Sequence, residues 1–160
     1  MKELVGIAEQ VAVKLIARKQ TIAVAESSAG GLIAASLLAV PGASAYFLGG
    51  AVVYTRDARR VLMDISDDGM KGFRSSSEPY AKLLAERMRD RFACDWGLSE
   101  TGAAGPTGNR YGDAAGHSCM AIAGPAVDVM TLETRSNDRF VNMQTFAATA
   151  LRLLLKNLEG

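Results

Sequence analysis

One stretch limits what this chain can fold into more than any other: Ala25-Glu26-Ser27-Ser28-Ala29-Gly30-Gly31. It follows a short apolar run, Thr21 to Ala25, and precedes a small-residue apolar run, Leu32 to Val40. A buried strand, a tight turn and the first turn of a helix is the reading that satisfies both flanks. In that geometry the hydroxyls of Ser27 and Ser28 project from the turn. The amides of Ala29, Gly30 and Gly31 have no partner inside the helix, and with the helix dipole they are expected to form an anion site.

The rest of the chain is read around that junction. Leu4, Ile7, Ala8, Val11 and Leu15 recur at helical spacing and predict an amphipathic first helix. The Leu32–Val40 helix is apolar nearly all round and is expected to be deeply packed, closed by Pro41-Gly42. Ala51 to Tyr54 reads as a second strand ending in a phenol, and Arg56 to Ile65 as a short helix. Ser77-Glu78-Pro79 has the form of a helix start, with Ala81, Leu84, Ala85, Met88 and Phe92 on the inner face behind it. Trp96 to Thr101 is a strand that runs into a long glycine-rich loop, Thr101 to Gly112. His117–Ala123 and Ala126–Arg135 form a hairpin about Gly124-Pro125. Ser136 or Asp138 caps a last helix whose inner side carries Phe140, Met143, Ala147, Ala150, Leu154 and Leu158.

Helices alternating with strands, then a hairpin and a helix, predict an α/β fold: one three-layer α/β/α domain over residues 1–160 with a mixed, mainly parallel sheet. In such sheets ligands bind beyond the carboxyl ends of the strands. The loops after Ala25 and after Ser99 lie at such ends, and so does Tyr54.

Composition removes several function classes. A formal net charge of +1 gives no general attraction for nucleic acid or an acidic membrane. The two cysteines, Cys94 and Cys119, lie far apart, with no metal-ligand spacing and no disulfide framework; a reducing cytoplasm is the expected compartment. Residues 1–19 carry charges throughout, so they read as a domain start rather than a leader, and no run is long enough to cross a membrane. Asp67-Asp68 is a solvated turn rather than a metal site, and no metal is expected. The Walker and Gly-x-Gly-x-x-Gly patterns are missing, as are Gly-x-Ser-x-Gly and Ser-x-x-Lys. The single histidine, His117, is expected to be an ordinary strand residue.

With the first loop, the blocks Pro41-Gly42-Ala43-Ser44-Ala45-Tyr46-Phe47, Gly50, Val53-Tyr54-Thr55, Ser77-Glu78 and Thr101-Gly102-Ala103-Ala104-Gly105-Pro106 resemble the CinA C-terminal domain family in order and spacing. That family includes the nicotinamide-nucleotide amidases, which convert NMN to nicotinic acid mononucleotide and ammonia. The resemblance implies Ser27 as nucleophile and Tyr54 as the group that activates it. It places a catalytic lysine at position 59, where this chain has Arg59. It further implies substrate contacts from Glu26, Ser28, Ala29, Gly30, Gly31, Thr101, Gly102 and Gly105. The family's loop ends in a Pro-Val-Gly-like segment, but here the residues are Asp113-Ala114-Ala115-Gly116.

Arginine keeps its proton in proteins, so Arg59 cannot serve as the base. Its expected role is electrostatic, as a cation beside Tyr54. Three readings follow: an NMN-type amidase that needs no cofactor, a relative that binds a nucleotide without cleaving it, and a structural or regulatory partner protein. The apolar second and last helices suggest a homodimer.

Overall fold

The computed structural model describes residues 1–160. Five helices, α1 (Lys2–Arg18), α2 (Leu32–Leu38), α3 (Arg56–Met63), α4 (Glu78–Phe92) and α5 (Arg139–Glu159), enclose one sheet. Its strands are β1 (Ile22–Glu26), β2 (Phe47–Val52), β3 (Trp96–Ala103), β4 (His117–Ala123) and β5 (Val127–Glu133), in the spatial order β2-β1-β3-β4-β5. β1 is parallel to both neighbours; β3–β4 and β4–β5 are antiparallel. Four strands therefore point one way and β4 alone runs back, so the sheet is mixed but mainly parallel, as the alternation of elements predicts.

Strand alternation sorts the two cores. Ile22 and Val24 of β1, with Trp96 and Leu98 of β3, join the large core under α1, α2 and α5. Ala23 and Ala25 face the other way, into a smaller core with Met63 of α3 and Tyr80, Leu84 and Met88 of α4. After β1 the chain moves outward to β2 through α2, then crosses back to β3 through α3 and α4 on the opposite face. A parallel crossover keeps its right hand only by changing face when it changes direction. β1 is thus the switch point, and the loops after β1, β2 and β3 open at one end of the sheet.

Small residues allow the layers to approach closely. A Cβ on Gly97 of β3 would lie 1.9 Å from the Ala85 carbonyl oxygen of α4. At the β1–α2 junction Gly30 and Gly31 adopt φ of +67° and +98°, a region that side chains disfavour.

The amides at that junction are not left open. Glu26, fully buried, accepts at Oε1 from Gly31 N (2.8 Å) and Ile33 N (3.1 Å) and at Oε2 from Ala34 N (2.9 Å). Glu100 of β3, also fully buried, accepts at Oε2 from Ser27 N (3.1 Å) and Ala29 N (2.8 Å). Its Oε1 accepts from the Ser28 hydroxyl and from Ser118 Oγ of β4 at 2.8 Å. Burial raises both carboxyls, Glu26 from 4.5 to about 7, and the amide hydrogen bonds pull the other way.

Other boundaries moved. β2 ends at Val52 rather than at Tyr54, because pairing with β1 stops at Glu26 opposite Val52. α2 buries only Ile33, Ser36 and Leu37, while Leu38 is 64% exposed; it lies at the rim of the α1–α5 layer, not within it. Phe92 and Phe140, expected inside, are 41% and 57% exposed at the ends of their helices. Ser77 and Asp138 are the caps, accepting from Tyr80 N and Val141 N.

Two outcomes follow for stability. Gly97→Ala is expected to destabilise by at least about 2 kcal/mol in urea unfolding, since the obstacle is a backbone carbonyl that cannot turn away. Glu26→Gln is expected to cost about 2 kcal/mol, because its amide presents an N–H to other N–H groups. Folded Glu26 holds its proton more tightly than the unfolded chain does. Its contribution is complete below pH 4.5 and is withdrawn as the pH rises to about 7. Urea midpoints recorded across that window should show a shallower pH dependence in Glu26→Gln than in the parent.

Candidate active site

A cleft of about 330 Å³ opens at the carboxyl ends of β1, β2 and β3. Ser27, Tyr54, Arg59, Thr101 and Gly102 all line it, so five of the residues expected at the site share one cavity. A second chamber, about 250 Å³, lies beside it between Ser28, Tyr54, the 102–109 loop and Arg139, and includes Gly105.

The remaining expected contacts do not face these spaces. Glu26 is buried as the cap of α2, Ala29 is fully buried, and neither Gly30 nor Gly31 lines either chamber. The expected row of free amides is consumed from within. Ser27 N and Ala29 N go to Glu100, Gly30 N to the Ser27 carbonyl and Gly31 N to Glu26. Among residues 27–31 only Ser28 keeps an amide with no acceptor in the protein. Sequence spacing locates unpaired helix amides; it does not show which distant carboxylate will fill them.

Ser27 stands just past β1, and its Oγ makes no hydrogen bond to any protein group. Ser28 is turned inward onto Glu100. Of the two hydroxyls, Ser27 is therefore the free one. Thr101 is buried, and its Oγ1 accepts from Ser76 N at 3.1 Å, which ties β3 to the loop before α4.

Tyr54 is 58% exposed, and the cation at its hydroxyl is not Arg59. Arg139, the first residue of α5, donates to the Tyr54 oxygen at 3.0 Å and to the Gly105 carbonyl. Asn142, fully buried one turn later, anchors that end of α5 by donating to the carbonyls of Ala104 and Ser136, each at 2.8 Å. Arg59 is almost wholly covered. Its guanidinium donates to Asp67 Oδ1 at 2.7 Å and to the Ile65 carbonyl. The phenol that feels its charge is Tyr80, which burial pushes up to about 12 while Arg59 acts the other way.

The far wall is the 109–117 segment, and its order comes from its own side chains. Asn109 Oδ1 accepts from Tyr111 N (3.0 Å) and Asp113 N (3.1 Å). Asp113 receives Arg74 at both oxygens, at 2.7 and 3.2 Å. His117 is buried with Nδ1 on Glu133 and Nε2 2.7 Å from the Ser76 carbonyl, and Asp113 lies 3.6 Å away. Burial alone would lower its pKa, but Glu133, the Ser76 carbonyl and Asp113 outweigh that and raise it. Both ring nitrogens are engaged, so His117 fastens β4 to Glu133 and to the Ser76 carbonyl, and it does not line the Ser27 cleft. No cluster of three histidine, cysteine or carboxylate side chains is arranged to hold a metal ion.

Sequence reasoning missed Glu100, Arg139 and the Arg74–Asp113–His117 cluster. Each acts on a segment remote in the chain, and no local spacing announces that. The Asn109 to Asp113 run could have been read as an Asx-type turn.

These features can be set beside known proteins. The chain is 37% identical over 149 residues to a CinA-like protein from Gloeobacter violaceus, covering 91% of this chain and 35% of that protein. It is 34% identical over 158 residues to one from Desulforapulum autotrophicum, covering 98% and 37%. This chain thus spans about a third of the length of these relatives. The crystal structure of a CinA superfamily protein from Klebsiella pneumoniae superposes with a TM-score of 0.90 at 23% identity, over 98% of each chain, a likeness of fold. The competence/damage-inducible protein CihA from Agrobacterium tumefaciens gives 0.89 at 25% identity, over 99% of this chain and 96% of that one. Residues 5–158 match the CinA C-terminal domain, and the chain belongs to that family.

Proposed function

We propose that this protein is a serine-dependent amidohydrolase of a nucleotide carboxamide, converting NMN to nicotinic acid mononucleotide and ammonia. The observation that carries the reading is the unbonded Ser27 hydroxyl, facing a cleft that also holds Tyr54, in a chain of the CinA C-terminal domain family. Ser27 Oγ attacks the carboxamide carbon and gives up its proton. The tetrahedral oxyanion is met by the Ser28 amide, a donor worth about 3 kcal/mol in comparable sites. Collapse breaks the C–N bond, and ammonia leaves with the proton it needs. Water then attacks the acyl-serine, releasing the carboxylate and restoring Ser27. Tyr54, held by Arg139, is the group assigned to pass the proton between Ser27 and the leaving nitrogen. No step requires a cofactor.

A second reading has its own observation. Ser27 has no base bonded to it, and Arg59, at the position of the family lysine, is committed to Asp67. A protein so arranged could bind the nucleotide without cleaving it.

Ammonia release from NMN separates the two. The amidase reading expects turnover that falls by at least about a thousandfold in Ser27→Ala. It expects a fall of about a hundredfold in kcat for Tyr54→Phe, with KM little changed. NMN binding without ammonia in the parent protein selects the second reading. A gain of turnover in Arg59→Lys would then trace the loss to that position.

A further inference from the structure

Sequence spacing places an anion site at the start of α2, yet the protein's own Glu26 and Glu100 occupy those amides. Unpaired positive charge lies elsewhere. Next to the Ser27 cleft, and sharing Arg56, Arg59, Ser75, Arg110 and Tyr111 with it, is a chamber of about 280 Å³. Its lining includes four guanidiniums, of Arg56, Arg59, Arg74 and Arg110, and a single carboxylate, Asp67. Asp113 reaches Arg74 from the loop as a second carboxylate.

The pairing is unequal. Arg59 holds Asp67 at 2.7 Å, and Arg74 holds Asp113 with two hydrogen bonds. Arg56 stands 3.7 Å from the already paired Asp67, with its side chain 75% exposed. Arg110 has no carboxylate at all. It donates to the Tyr111 hydroxyl at 3.2 Å and lies 5.2 Å from that ring's centre. Four guanidiniums against two carboxylates leave a surplus of two positive charges beside the Ser27 cleft, because Arg110 has no carboxylate and Arg56 only shares Asp67 with Arg59.

The loop is also pre-shaped. Asn109 caps its turn, Arg74 lies 5.4 Å from the Tyr111 ring centre, and Asp113 is fastened to Arg74 and faces His117. A ligand therefore finds Arg110 on an ordered loop and loses less freedom in binding.

We propose that Arg56 and Arg110 form the phosphate subsite of this cleft, receiving the phosphomonoester of a nucleotide whose carbonyl group lies at Ser27. The guanidinium fork matches two phosphate oxygens at once, and the dianion offsets the surplus of two positive charges. The subsite rests on the nucleotide reading given above and assigns that substrate's charged end.

Titration calorimetry of the full chain tests it, with NMN, the corresponding nucleoside lacking the phosphate, and inorganic phosphate as competitor. The parent protein is expected to prefer NMN to the nucleoside, and this preference should fall at least about tenfold in Arg110→Gln and in Arg56→Gln. Arg60→Gln removes an exposed charge of α3 that pairs with Asp57, and should change the preference less than about twofold. Added salt should weaken NMN binding in the parent and weaken it less in the double variant. No preference for NMN in the parent, or an undiminished one in the double variant, overturns the subsite. The amidase reading fails separately: NMN bound through Arg110 without ammonia release keeps the subsite and rejects hydrolysis. Ammonia release with the preference intact in the double variant does the reverse.

Discussion

The rest of the structure depends on two buried carboxylates that occupy the amides around one turn. Glu26 closes the start of α2, and Glu100 grips the backbone on both sides of Ser28 while reaching Ser118 of β4. Between them they fix the path of residues 26–31 against the sheet. Two acidic groups this close, out of water, are costly, and burial lifts the pKa of both. Seven hydrogen bonds, three at Glu26 and four at Glu100, offset that cost and leave one amide and one hydroxyl of the turn free. The free groups are Ser28 N and Ser27 Oγ.

Positive charge is then arranged around that turn rather than within it. Arg139 meets the Tyr54 hydroxyl from α5, Arg59 is closed into an ion pair at the base of α3, and Arg56 and Arg110 stand at the mouth. These four guanidiniums come from three separate segments and have different partners, so they are not interchangeable. One orients a phenol, one braces a helix, and two are left to meet a ligand. Arg59 carries a fixed charge, and that charge is committed to Asp67.

Much of the fold was legible locally. The inner face of α1, the caps of α4 and the hairpin about Gly124-Pro125 all follow from spacing and turn chemistry, and all stand in the structure. The failures share a cause. Leu38, Phe92 and Phe140 continue an apolar pattern yet lie where a helix runs past its neighbours. Tyr54 lies beyond β2 because the partner strand, not the apolar run, ends the pairing. Periodicity reports what a residue could bury, whereas the extent of the packed layer decides whether it does.

The sequence by itself determined the α/β alternation, the strand–turn–helix at residues 22–38 and the family, and through the family resemblance it pointed to Ser27 and Tyr54, which the structure places on one cleft. Each rests on contiguous residues or on short blocks in fixed order. Only the tertiary structure decided that Glu26 and Glu100 would fill the amides, that Arg139 rather than Arg59 would reach Tyr54, that Arg56 would share Asp67 with Arg59, and that Arg110 would have no carboxylate partner. Two of those outcomes depend on groups 72 and 85 residues apart, Ser28–Glu100 and Tyr54–Arg139, and the others on which of several nearby partners each charge takes. Charge pairing of this kind is settled by distance in space and competition for partners, and neither is written in local sequence.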